Sequence, residues 1–226
     1  MANAKKKDIE EIRKENAEAT VSSAEKFYNE NKKLIWGVVC AVIVIGLGIL
    51  GYQKFIYQPK CAEAMQQCYP AEINFQKGEY ELALNGDGNT LGFAQIISDY
   101  GTKAGKAVYL YAGVCELQLG NYESALGYLK KYNGKDSIMK ARAIGCQGDA
   151  YVGLEDYNQG IACFEKAAAA ADNVFAATYL FKAGQVYEKI GDNDSALRCY
   201  REIKDRYPQS LENYNIDSYI ARIEAL

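Results

Sequence analysis

Three features of this 226-residue chain have side-chain types that could do chemistry: seven cysteines, a pair of adjacent carboxylates and a glycine-rich loop. Thiolates serve as nucleophiles, redox pairs or metal ligands, but Cys40, Cys61, Cys68, Cys115, Cys146, Cys163 and Cys199 contain no CxxC pair, and an odd count leaves at least one thiol unpaired. Cys61 and Cys68 are about two helical turns apart, roughly 10 Å, beyond the roughly 7 Å limit between the α-carbons of a disulfide. The cysteines are therefore expected as small buried side chains, with Cys115 and Cys146 left as an open pair. Glu155 and Asp156 would suit acid–base work, yet they fall where a solvent-facing turn is expected. The loop Asn85–Thr90 lacks the Lys-Ser/Thr ending of a phosphate-binding loop and follows no strand, so it reads as a turn. The chain has no histidine, which removes the commonest general base and the commonest metal ligand together. No catalytic residue, metal site or cofactor is expected.

The elements that carry these residues fall into unequal parts. Leu34 to Tyr52 reads LIWGVVCAVIVIGLGILGY, uncharged throughout, and as a helix would be about 28 Å long, the thickness of a bilayer's hydrocarbon core. Trp36 lies near one end and Tyr52, Phe55 and Tyr57 near the other, as interfacial rings do. The 33 residues before it and the length of the apolar run predict an uncleaved anchor rather than a cleavable signal, and Gln58-Pro59-Lys60 before Cys61 does not fit a lipoprotein signal. Eight lysines and arginines precede the run, against Lys54 and Lys60 just after it, so the amino end is expected to stay cytoplasmic. In a bacterium the rest would be periplasmic. Residues 58–226 carry 17 basic and 22 acidic side chains, a net charge of −5, which speaks against a nucleic-acid partner.

Beyond the apolar run a pattern repeats at 35 and then 36 residues, starting at Lys106, Ala141 and Ala177. Each copy has a glycine within its first helix, Gly113, Gly148 and Gly184, where only a hydrogen atom fits between packed helices. A turn follows at Gly120-Asn121-Tyr122, Glu155-Asp156-Tyr157 and Gly191-Asp192-Asn193. The second helix then presents Ala125, Gly160 or Ala196, followed by Leu129, Phe164 or Tyr200, and Pro208 closes the last copy. Cys163 and Cys199 occupy one repeat position in successive copies. These residues, with Tyr151 and Tyr187, resemble the tetratricopeptide-repeat family, although Gly160 replaces the usual Ala and Glu155 the usual turn Gly. The resemblance implies paired antiparallel helices stacked into a right-handed superhelix with a concave protein-binding face. Ala71–Leu84, with Gly78-Glu79-Tyr80 and Ala83 at the same phase, reads as a divergent first repeat interrupted by Asn85–Asn89. Ser210 could cap a final helix whose Ile216, Tyr219, Ile220 and Ile223 share a face.

The expected organisation is all-α: a tail 1–33, a transmembrane helix and interface 34–57, a divergent repeat 58–105, three repeats 106–209, and a capping helix 210–226. By repeat phase the concave face offers Leu110, Val114, Leu117, Val152, Phe181 and Gln185; the alternative is that several of these pack between helices. Leu110, Val114, Gly145 and Asp149 stand where some members of the family clamp a chaperone's carboxylate tail, and cannot do so. Within the apolar run, Gly37, Ala41, Val44, Gly48 and Gly51 share an arc of about 80°, a face of mostly small residues that would admit a second transmembrane helix.

The stretch Glu25–Lys33 followed by the apolar run and a repeat domain of this size resembles the bacterial ancillary subunit of the Sec translocon. That resemblance implies a single-pass inner-membrane protein, without enzymatic activity, that binds the Sec channel and a membrane-anchored periplasmic chaperone of the prolyl-isomerase type. A repeat scaffold for envelope assembly or cell division is the rival reading, and an enzyme is the third class.

Overall fold

A computed structural model describes residues 2–171 and 173–225, with side chains from Glu25 onward. The chain divides into two units, 1–58 and 59–226. The first is a helix, α1 (Ala2–Tyr52), followed by a π-helical turn, Gln53–Tyr57. Its apolar stretch is long and apolar enough to cross a membrane, and its large side chains are exposed, Val44 and Leu47 among them.

The second unit is helical, and among the described residues its only β-type pairing is a single antiparallel bridge, Gly86 to Leu91. It comprises α2 (Gln58–Gln76), α3 (Tyr80–Asn85), α4 (Phe93–Tyr100), α5 (Ala107–Gln118), α6 (Tyr122–Leu129), α7 (Ser137–Gly153), α8 (Tyr157–Ala171), α9 (Ala176–Lys189), α10 (Asn193–Arg206) and α11 (Ile216–Glu224). Helices α5 to α10 form three hairpins whose members pack on their sequence neighbours, as in a solenoid.

Each hairpin closes around its first-helix glycine. A β-carbon on Gly113 would lie 2.6 Å from Leu129 Cγ, and one on Gly148 would lie 2.6 Å from the Phe164 ring. On Gly184 it would clash with Tyr200 Cε1. The three large residues are fully or almost fully buried, as are Ala125 and Ala196. Gly160 stands where a repeat usually carries alanine because Val152 fills the space; a β-carbon there would sit 2.7 Å from its Cγ2.

The hairpin turns have a common physical cause. Gly120, Glu155 and Gly191 occupy equivalent places with φ of 79°, 61° and 82°, the left-handed region that a non-glycine side chain enters at a cost of roughly 1–2 kcal/mol. The next residue, Asn121, Asp156 or Asp192, directly precedes the second helix. Asp156 Oδ1 accepts from the Gln159 amide at 3.2 Å and Asp192 Oδ1 from the Ser195 amide at 3.1 Å, satisfying donors that the helix leaves open.

Both ends of the stack are covered. At the start, Phe75 of α2 packs its ring on Tyr80, Phe93 and Tyr111, and the Asp87 turn divides the second half of this region into α3 and α4. At the end, Ser210 Oγ accepts from the Asn213 amide, and α11 buries Ile216 and Ile223 with Tyr219 against Phe181 and Tyr200.

Gly184→Ala should lower stability by up to about 2 kcal/mol, since overpacking costs roughly 1–3 and the gain in helix propensity returns only about 1. Glu155→Gly should instead raise it by up to about 1 kcal/mol by relieving the positive φ. Circular-dichroism melts of the full chain in detergent separate the two, and a stabilised Gly184→Ala would refute the interlock.

Candidate protein-binding groove

The first helices of the three hairpins, α5, α7 and α9, line a groove of about 440 Å³. Val114, Leu117 and Gln118 come from α5, Arg142, Gly145, Cys146 and Asp149 from α7, and Thr178, Tyr179 and Lys182 from α9. Ile138 and Phe175, near the starts of α7 and α9, stand at the groove with exposed side chains. Its floor depends on Gly145: a β-carbon there would overlap the Tyr179 ring, so a side chain would push α9 off α7.

The charges differ in their engagement. Lys182 Nζ donates to both oxygens of Asp149, at 2.8 and 2.7 Å, and lies 5.7 Å from the Phe164 ring centroid. With both side chains about one-third exposed, the pair contributes of the order of 1 kcal/mol or less and acts mainly to fix the register of α7 on α9. Arg142 is exposed, and among the described residues no ion pair holds it. The groove thus combines apolar walls with one open guanidinium, which can bind a carboxylate or backbone carbonyls.

The groups that could react are held protonated. Burial pushes the Cys146 thiol up to about 11, helped by the Asp149 charge, and burial pushes the Tyr179 phenol up to about 12. Burial likewise pushes Cys68, Cys115 and Cys199 up to about 11, 12 and 11. All seven cysteines are free; Cys115 lies in the cluster formed with Phe93 and Ile96, while Cys146 borders the neighbouring cluster and the groove. At neutral pH the buried Cys68, Cys115 and Cys199 are packing groups, as expected. Cys61, Cys146 and Cys163 are half-buried and Cys40 is exposed, so the expectation of small buried side chains does not extend to them. Asp156 is engaged as a helix cap, and Asp87 Oδ1 accepts from the amides of Asn89 and Thr90 and from the Thr90 hydroxyl, closing the Asn85–Thr90 turn.

The residues read as concave by phase separate into groups. Val114 and Leu117 line the groove. Leu110 is 1 % exposed within the core between α5, α6 and α7, and Val152 packs beside Phe164. Phe181 is covered by the end helix, its ring 4.9 Å from that of Tyr219, and Gln185 is exposed outside the groove lining. Of the repeat-signature tyrosines, Tyr187 donates to Glu165 at 3.0 Å and Tyr151 lies beneath the Lys130 ammonium at 5.3 Å. Pro208 is exposed just beyond α10. Arg142, Tyr179 and Lys182 lie outside the positions chosen by phase; the sequence signal for Lys182 is its opposite charge to Asp149 one repeat earlier. On α1, a β-carbon added at Gly37, Gly48 or Gly51 would meet no atom of the described residues within 4 Å, and Ala41 and Val44 are exposed.

In the native chain Cys68, Cys115 and Cys199 should resist iodoacetamide at neutral pH and react once it is unfolded. Mass spectrometry of alkylated peptides reads this, and native alkylation of Cys115 at the unfolded rate would break the packing assignment.

No curated protein sequence matches the chain. A tetratricopeptide-repeat family model matches residues 147–210, from within α7 through α8, α9 and α10 to just past Pro208. This stretch is a run of tetratricopeptide repeat, and the helical array around it is of tetratricopeptide-repeat type.

Proposed function

We propose that this chain is a non-enzymatic protein-interaction scaffold anchored by α1 in a bacterial inner membrane, with its amino end cytoplasmic and its repeat domain periplasmic. There it serves as an ancillary subunit of the Sec translocon within a network that includes a membrane-anchored periplasmic chaperone. The groove across α5, α7 and α9 carries this reading, because its apolar walls and single open guanidinium suit an extended polypeptide whose side chains fill pockets while Arg142 holds a carbonyl or carboxylate.

The anchor is supported by the exposed uncharged run in α1. Each exposed Leu, Ile or Val forgoes about 1.5–3 kcal/mol of burial in water, and lipid supplies that burial. The small-residue face of Gly37, Ala41, Val44, Gly48 and Gly51 would let a translocon helix approach closely. The eight basic residues before the run favour the stated orientation.

A photo-crosslinking residue at Gln118, on the groove rim, should yield adducts with Sec-channel or periplasmic chaperone subunits in intact cells. The same group at Glu123, on α6 away from the groove, should not. Arg142→Glu should reduce the Gln118 adducts several-fold. Adducts confined to division or envelope-assembly proteins would favour the rival scaffold and overturn the translocon assignment.

A further inference from the structure

The two edges of the repeat domain differ in charge. The loops joining successive hairpins lie on one edge, tied together in sequence. Lys106 Nζ donates to the Asn133 carbonyl at 3.2 Å, Ile138 and Phe175 border the same groove, and Thr178 Oγ1 donates to Glu212 at 2.6 Å. The amino end of α2 is on this edge too, because the Tyr100 hydroxyl at the end of α4 donates to Glu63 at 3.0 Å.

In segments 101–106, 130–136, 173–175 and 207–215 stand Lys103, Lys106, Lys130, Lys131 and Lys135. The acids in these segments are Asp136 and Glu212, with Asp172 outside the described residues, and Glu63 and Asp99 stand at the adjoining helix ends. Asp136 is engaged by the Met139 amide at 2.7 Å and Glu212 by Thr178. Among the described residues none of the five lysines is in an ion pair. The hairpin turns of the opposite edge, 77–79, 119–121, 154–156 and 190–192, carry Glu79, Glu155, Asp156 and Asp192 against Lys77 alone. In a domain of net charge −5 this is a sorting by edge.

The basic edge also exposes large apolar side chains. Leu211 is 91 % and Tyr214 89 % exposed, and Phe175 and Val174 are 52 % and 45 % exposed. Along this edge the lysines stand in the first two segments and the exposed aliphatic and aromatic side chains in the last two. An edge with both suits an anionic bilayer surface, the rings and aliphatics entering the headgroup layer while the ammonium groups meet phosphates.

We infer that this inter-repeat loop edge is a lipid-binding surface that lies on acidic headgroups of the bilayer. The chain's covalent path favours lipid as the occupant, since only Pro59 to Ala62 separate Glu63, on this edge, from the end of the unit that carries the apolar run. Lipid contact along this edge leaves the acidic hairpin turns turned away from a like-charged surface. The inference rests on the membrane anchoring proposed above.

The full chain in nanodiscs, one chain per disc, tests both points separately. Quenching of the native Trp36 by brominated lipid reads the anchor. In a Trp36→Phe background, Val174→Trp and, as a second reporter, Leu211→Trp read the edge. Both reporters should be blue-shifted and quenched by shallow-brominated lipid in discs containing phosphatidylglycerol, and much less in phosphatidylcholine alone. Replacing Lys103, Lys131 and Lys135 by glutamine should reduce the lipid-contacting population on the order of a hundredfold, about fivefold per lysine. Raising salt to about 1 M, where the screening length falls to about 3 Å, should also reduce it. If Trp36 is quenched while both edge reporters stay unquenched in phosphatidylglycerol discs, the edge assignment falls and the anchor stands. Equal quenching in the two lipids overturns the role of the lysines, and an unquenched Trp36 overturns the anchoring itself.

Discussion

The stack depends on a repeated interlock between a glycine on one helix and a large side chain on the next. Leu129, Phe164 and Tyr200 fill the space that side chains at Gly113, Gly148 and Gly184 would take, which brings the backbones of each hairpin close together. A helix-interior glycine costs roughly 1 kcal/mol relative to alanine, whereas burying a Phe or Leu side chain returns about 1.5–3 kcal/mol, so the exchange favours the interlock. Because each hairpin is closed by its own glycine, stacking uses the outer faces of the helices. The first-helix faces of α5, α7 and α9 are then free to share a groove, and Gly145 repeats the same device between hairpins by seating Tyr179.

That interlock was also the part of the fold most legible in sequence, since glycine, alanine and a large residue recur at fixed spacing and their physical roles are local to a hairpin. The departures from the family pattern are explained by neighbours. Gly160 makes room for Val152, and Glu155 accepts a left-handed backbone to keep a turn that glycine makes elsewhere. The site was less legible because a repeat position has one meaning in the middle of a stack and another at its end. Phe181 has the phase of a surface residue, yet the end helix places Tyr219 on it. Leu110 is buried among α5, α6 and α7. Arg142 and Lys182 reach the groove from positions that the phase of a single helix does not single out, and the Lys182–Asp149 pair arises only when two hairpins meet.

The charge distribution follows from the same architecture. Hairpin turns need residues that cap the second helix, and Asp156 and Asp192 do so, which concentrates acid on one edge. The loops between hairpins carry a cap of this kind in Asp136, but their remaining charges are set by other demands, and there the lysines gather. Net charge therefore describes this domain poorly; the sign of the field depends on the edge that a partner approaches.

The groove's size bears on the kind of partner it can serve. At about 440 Å³ it holds a few side chains of an extended segment, against the roughly 20–30 residues a side that a stable protein–protein interface engages. Affinity would come from one or two anchored side chains and the Arg142 contact, and such contacts exchange readily. On the proposed reading the anchor compensates for that weakness. A groove held at the membrane meets a membrane-held partner at an effective concentration that short tethers raise into the millimolar range, so a weak contact is occupied when both are present and released when the partner leaves. Protonated Cys146 and Tyr179 suit this role, since they meet a passing chain with neutral, polarisable and hydrogen-bonding groups and not with a nucleophile.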